Sequence, residues 1–293
     1  MLGIYKHIIR AILLSIKLLR TDLRMSPESE PLVLYDIPTN AQAGHMPWSP
    51  NTWKARFVSP SPSSTPTDLP GSFVLNYKHL AYKTTWVELP DIAALCAQLG
   101  APPTGTKPDG TPHYTLPVLF DPRTRRAVAD STQIARYLDE TYPDTPRVLD
   151  DAGGDAAVAA LLWARVTLPL AKVVVARTCA VLNPASEGYF RMTREGLFGA
   201  RLEELATEEE WKKLEEGLGA LGEHLKAVES KDTSSITEPG SITYSEIRVA
   251  SVLVWARVVY GVDSEEWQRI ADMDGGKWGA FLEKFREYEF VDL

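Results

Sequence analysis

The stretch YTLPVLFD, residues 114–121, constrains this chain more than any other. Its aliphatic and aromatic side chains suit a buried strand, yet Pro117 stands inside it. Proline has no N–H to give a ladder, so regular pairing must stop there. A cis Leu116–Pro117 peptide accounts for the residue, because it exposes backbone groups that a continuous strand would consume. The sheet is thus expected to contain one strand that stops short and leaves polar backbone for another use.

The neighbouring segments fill in the sheet. PLVLYDIP (31–38) is a short apolar run closed by Pro38, and LAYKTTWVEL (80–89) alternates in the period of a strand. PDIAALCAQLG (90–100) carries Pro90 and Asp91 in front and Gly100 behind, the punctuation of a helix. After a Pro/Gly/Thr-rich loop, residues 114–121 and RRAVAD (125–130) form a hairpin across DPRT. STQIARYLDETYP (131–143) is a helix stopped by Pro143. Residues 31–143 therefore read as a small α/β domain. DTPRVLDDAGGD (144–155) is a linker, and 156–293 is an all-helical domain. Within it, residues 156–182 are apolar enough for a central helix, with a kink expected at Pro169. Residues 207–230 form an exposed amphipathic helix, and 230–241 a loop.

Composition excludes several functions. The first 24 residues hold Lys6, Arg10, Lys17, Arg20 and Arg24 against Asp22, a net of +4. With −8 on the whole chain, the remainder carries −12, which repels phosphate backbones, so no nucleic-acid partner is expected. Cys96 and Cys179 are far apart, and five scattered histidines form no ligand pattern, so neither a disulfide framework nor a metal site is expected. Two thiols without a partner motif suit a reducing, cytoplasmic setting. Residues 1–30 are set aside as an extension. Wound at helical pitch, residues 1–24 would give a basic amphipathic helix suited to a membrane surface or a mitochondrial presequence. The other reading is a spurious extension before Met25, where MSPESEP begins. The apolar run Ala11–Ile16 is too short to span a bilayer, so stable membrane insertion is not expected.

Three further places carry chemistry. In WSPNTWK, Ser49 stands as an N-cap and Pro50 at the first helical position, leaving Asn51 and Thr52 at the exposed N–H end. Asp130 and Ser131 lie where a strand gives way to a helix. Each of these also reads simply as a good helix start. Thr243 and Glu246 have the spacing of a capping box, with Ile242 and Ile247 as its hydrophobic staple.

Taken together, the element order, the strand proline and the Asp–Ser turn resemble the thioredoxin-like domain of a cytosolic glutathione transferase. Gly240, Thr243 and Glu246 match that family's Gly-x-x-Ser/Thr-x-x-Asp box, with Glu where Asp is usual. PWSPNTWKARF…VLNYK followed by YKTTWVELPDI is most similar to the fungal etherase-related class, related to bacterial enzymes that cleave β-aryl ethers of lignin.

The resemblance implies glutathione as co-substrate, with no metal. Its thiol would meet Ser49 and Asn51, its cysteinyl backbone Leu116–Pro117, and its γ-glutamyl end Asp130 and Ser131. Lys107 or His113 would take the glycine carboxylate. An aromatic or aryl-ether electrophile would lie between the domains, near Trp48 and the helix of Trp163. By the residues alone, Trp163 is more readily a core side chain. The family also implies a homodimer. A ligandin that stores aromatic compounds, or a regulatory scaffold reusing the fold, stays open beside the enzyme.

One segment conflicts with this plan. Phe57–Val58 recurs as Phe73–Val74, and residues 58–73 between them hold four prolines and no helical period. The insert reads as a retained intron or gene-model error, or else as a looped-out insertion. A genuine insertion would break the first helix in its second turn and loosen the helix and its N-terminus, so the helix is expected to be continuous in the functional protein.

Overall fold

The sheet starts with β1 (Leu32–Asp36), whose alternate residues are buried. β1 runs parallel to β2 (Tyr82–Trp86) and antiparallel to β5 (Val118–Asp121). β5 pairs in turn with β6 (Arg126–Ala129), giving the order β2-β1-β5-β6. Between the strands come α1 (Pro50–Lys54) and α2 (Ile92–Leu99). α2 is preceded by a 3-10 turn at Leu89–Asp91 and ended by Gly100 at φ 68, a left-handed geometry that glycine adopts without strain. The loop before β5 contains a small hairpin of its own, β3 (Gly105–Thr106) against β4 (Pro112–His113). α3 (Ser131–Thr141) closes the first unit. The computed structural model describes residues 30–56, 75, 77–149, 154–231, 242–286 and 289. Residues 1–24, Gly240 and the 58–73 segment lie outside the described residues.

The helical unit comprises α4 (Gly154–Leu161), α5 (Leu168–Ala180), α6 (Pro184–Phe198), α7 (Glu208–Lys231), α8 (Tyr244–Tyr260) and α9 (Glu265–Glu283). α9 is broken at Met273–Gly276, where the backbone leaves helical geometry. α8 is buried along most of its length and forms the axis of the bundle. Its first turn is a true capping box: Glu246 N–H donates to the Thr243 hydroxyl, and Thr243 N–H to the Glu246 carboxylate at 3.0 Å. Ile242 and Ile247 flank it, both buried.

The kink expected at Pro169 takes another form. One turn earlier, Leu162–Thr167 is a π-helical turn, in which Leu168 N–H reaches back five residues to the Trp163 carbonyl. Pro169 has no N–H to give the Arg165 carbonyl four residues before it. α7 packs against that carbonyl through Gly217, where an added Cβ would stand 1.8 Å from the oxygen. Residues Ala156–Ala180 are long and apolar enough to cross a membrane, but Val166, Leu170, Val173 and Val174 are buried in the bundle.

The interruption after α1 does not dislodge its ends. Trp53, Ala55 and Arg56 are buried, as are Leu75 and Lys78 on the far side. Arg56 Nε donates to Asp36 at 2.6 Å with both side chains fully buried, and its Nη2 donates to Thr84 at 3.1 Å. Lys78 Nζ donates to Asp139 at 2.7 Å and to the Pro146 carbonyl at 2.8 Å. Burial lowers the Lys78 pKa, with Asp139 opposing that shift. Leu75 N–H donates to the Ala55 carbonyl at 3.4 Å. With residues 58–73 left out of the count, Leu75 is the fourth residue after Ala55, so this is the bond of an uninterrupted helix. The loosening foreseen for a genuine insertion is not seen at the described residues on either side of it. Both stumps are fixed, and they are aligned in helical register.

At the other end of the sheet, Asp121 is buried and accepts from the Tyr137 and Tyr142 hydroxyls at 2.7 and 2.8 Å. Burial alone would raise its pKa, but these bonds and the Arg123 and Thr124 amides outweigh burial and hold it below the usual carboxylate value. A depressed carboxyl stabilises the fold above its unfolded pKa and loses that contribution as pH falls through the folded value. Asp121→Asn is expected to cost about 2 kcal/mol at pH 7. Denaturant titrations should show that deficit shrinking below about pH 4. A deficit independent of pH would contradict the assignment.

Candidate active site

The loop from β1 to α1 is pinched at its base. Pro38 and Pro47 form an isolated bridge, and Thr39 N–H donates to the Met46 carbonyl at 2.7 Å. Asn40 ties the loop to the helical unit, its N–H donating to the Val181 carbonyl and its Nδ2 to that of Leu182. This delivers Pro47, Trp48 and Ser49 in a fixed path. Trp48 is buried in an edge-to-face contact with Phe190, and its indole N–H reaches no acceptor among the described residues.

Ser49 is the N-cap of α1 by position, but its side chain makes no capping hydrogen bond. Its carbonyl carries the load instead, accepting from Trp53 N–H at 3.0 Å and from the Thr52 hydroxyl at 2.9 Å. The amides of Asn51 and Thr52 have no acceptor among the described residues, as expected of a first helical turn. Asn51 is exposed; its Oδ1 accepts from Lys54 at 2.9 Å, which leaves its amide N–H₂ uncommitted. A hydroxyl and several N–H donors thus share one end of α1.

The Leu116–Pro117 peptide is cis. The strand read over 114–121 pairs only from Val118 onward, so Leu116 is buried outside the ladder. No other backbone group among the described residues takes its N–H or C=O. Asp130 follows β6 with φ 76, an uncommon backbone for a non-glycine residue. Its Oδ1 accepts from Thr132 and Gln133 N–H at 2.9 and 3.1 Å. Ser131 is buried at the first position of α3. Tyr244 and Arg248 of α8 approach this corner through the Thr132 hydroxyl, at 3.5 and 3.1 Å. Lys107 lies in the turn of the β3–β4 hairpin and His113 at its base, both exposed.

Trp163 departs from its sequence reading. It is 66% exposed on the π-helical turn rather than part of the core. Among the described residues no ring contact joins it to Trp48; the partner of Trp48 is Phe190 on α6. The sequence reading did not place α6 against Trp48. The signal that could have found it is Glu88, a carboxylate just after β2 with no local partner. Its carboxylate accepts from Asn183 Nδ2 at 2.9 Å and from the Ser186 hydroxyl. Ser186 Oγ also accepts from Leu89 N–H at 2.8 Å, which docks the start of α6 on the first unit.

The comparisons agree with this architecture. The N-terminal domain of glutathione S-transferase matches residues 72–141, and its C-terminal domain matches 155–288. The glutathione S-transferase-like protein ustS of Aspergillus flavus is 30% identical over 278 residues, covering 86% of this chain and 89% of that protein. The chain belongs to the glutathione S-transferase family. Among solved structures, glutathione transferase GSTFuA2 from Phanerochaete chrysosporium is 42% identical with a TM-score of 0.79. The match covers 90% of this chain and 100% of that one. CsGST63524 of Ceriporiopsis subvermispora, solved in complex with glutathione, is 38% identical with a TM-score of 0.77, over 90% and 99% of the two chains. This transferase-family chain therefore shares its fold with fungal FuA-type enzymes.

Glu88→Ala would strip Asn183 and Ser186 of their acceptor, at an expected cost of about 2–4 kcal/mol. Hydrogen exchange should then speed up in α6 while α3 stays protected. Equal protection in both helices before and after the change would contradict the docking role of Glu88.

Proposed function

We propose that this protein is a glutathione transferase that presents the thiolate of glutathione to an aromatic or aryl-ether electrophile. One observation carries the reading: the Ser49 hydroxyl makes no cap bond to its own helix and is left at the donor-rich end of α1. A thiol with pKa near 8.5 is only about 3% ionised at pH 7, and a shift to about 6.5 makes it roughly three-quarters ionised. Ser49 Oγ–H, assisted by the Asn51 amide and the helix N–H groups, would supply that shift by donating to sulfur in its anionic state. Leu116 would pair with the cysteinyl backbone. Asp130 and Ser131 would hold the γ-glutamyl end, and His113 or Lys107 would face the glycine carboxylate. Attack forms a C–S bond and breaks the bond to halide or aryloxide, which leaves with its electron pair. The thiol proton goes to solvent. A protein thiol is a poor substitute, because Cys96 and Cys179 are fully buried and burial raises both pKa values.

Two variants test this with a generic aryl halide or phenethyl isothiocyanate. Ser49→Ala should lower kcat by about 100-fold while glutathione affinity changes little. Asp130→Asn, which keeps an acceptor for the α3 cap, should weaken glutathione affinity by about tenfold or more. Unchanged kinetics in both variants would overturn the assignment. Tight glutathione binding without turnover in the wild type would replace the enzyme with a ligandin.

A further inference from the structure

α6 carries an arginine whose setting the reaction above does not explain. Arg194 lies one turn beyond Phe190 on the same helix face, four residues on, and its guanidinium sits 4.8 Å from the Phe190 ring centroid. The same ring meets Trp48 edge-on at 5.7 Å, and Trp48 is the residue before Ser49. Arg194, Phe190 and Trp48 thus form a continuous row of contacts that reaches the residue preceding Ser49. The preceding arginine on the helix, Arg191, is neutralised by Glu195 and Glu203. Arg194 has no such counter-ion among the described residues. Its recorded polar contact is Nη1 to the Thr193 hydroxyl at 3.1 Å. Burial lowers its pKa, although a guanidinium stays charged under all ordinary conditions. Stacking on a phenyl ring offsets part of the desolvation, and the remaining guanidinium nitrogens of this half-buried side chain stay open to an outside acceptor.

We propose that Arg194 is a specificity-determining residue that anchors the anionic group of an aromatic co-substrate, a carboxylate, sulfonate or phenolate, lying along α6 beside the Trp48–Phe190 pair. The proposal rests on the reading of Ser49 as the reacting end and narrows its electrophile to aromatic anions. A forked guanidinium recognises a carboxylate through two parallel hydrogen bonds, which fixes the ring's direction as well as its affinity. A purely structural role, as a lid on Phe190, would make no distinction between charged and neutral rings.

Binding of 3,5-dinitrobenzoate and of neutral 1,3-dinitrobenzene, followed by quenching of tryptophan fluorescence in the full chain, makes that distinction. Neither probe has a leaving group, so the result does not depend on turnover. The wild type should bind the anion at least about tenfold more tightly than the neutral ring. Arg194→Met should abolish the preference while leaving 1,3-dinitrobenzene within about twofold, and Arg194→Lys should keep part of it. Equal affinity of the wild type for both probes, or parallel loss of both in Arg194→Met, would overturn the proposal. Glutathione titrated into the same samples separates the two readings. Its failure to bind the wild type would count against the transferase reading and leave the charge preference of Arg194 to stand or fall by the probes.

Discussion

Two buried ion pairs hold the first unit together where its chain is interrupted. Arg56 is sunk against Asp36 on β1, and Lys78 against Asp139 on α3. Charges taken out of water are costly unless their geometry is good, and removing one partner from such a pair typically costs about 3–5 kcal/mol. Each cation is therefore committed to its place, whatever the sixteen residues at 58–73 do. Asp139 extends the hold, accepting from the Val148 and Leu149 amides where the chain leaves for the helical unit. With Leu75 donating to Ala55, the two stumps act as one helix joined across a gap. The end of α1 that carries Ser49 is thereby fixed from behind, and the Pro38–Pro47 bridge fixes it from the front.

Much of this was legible in the sequence, and the reasons are local. Pro117 forces a strand to end, Gly100 supplies a left-handed cap, and Thr243 with Glu246 states a helix start in two residues. Signals that span the chain were not legible. Arg56 and Asp36 lie in different elements with nothing in either segment to pair them. Glu88 meets Ser186 across nearly a hundred residues, so the docking of α6, and the Phe190 contact it brings to Trp48, could not be read locally. Trp163 stands exposed on a π-helical turn, which no period of 3.6 anticipates.

The corner around Ser49 gathers donors and few acceptors. The α1 amides, the Ser49 hydroxyl and the Asn51 amide share one end of α1, and Phe190 of α6 meets Trp48 just before it. Such a surface favours negative charge, whether on sulfur or on a second substrate. On the opposite side, Asp130 uses one carboxylate oxygen to cap α3, and no hydrogen bond among the described residues engages the other. Near α3 the Asp130 carboxylate is accompanied by Arg248, which donates to the Thr132 hydroxyl, so both signs of charge meet at that corner.

The central claim is that α1 keeps a working N-terminus because its end is anchored by Arg56 and Asp36, independently of the segment that follows. Ultraviolet titration of the thiolate of bound glutathione tests it most directly, in the full chain and in a version lacking Val58–Phe73. The account predicts the same lowered thiol pKa in both, well under the free value of about 8.5. A full chain that leaves the thiol near that value, beside a deletion that lowers it, would show that the anchor does not suffice.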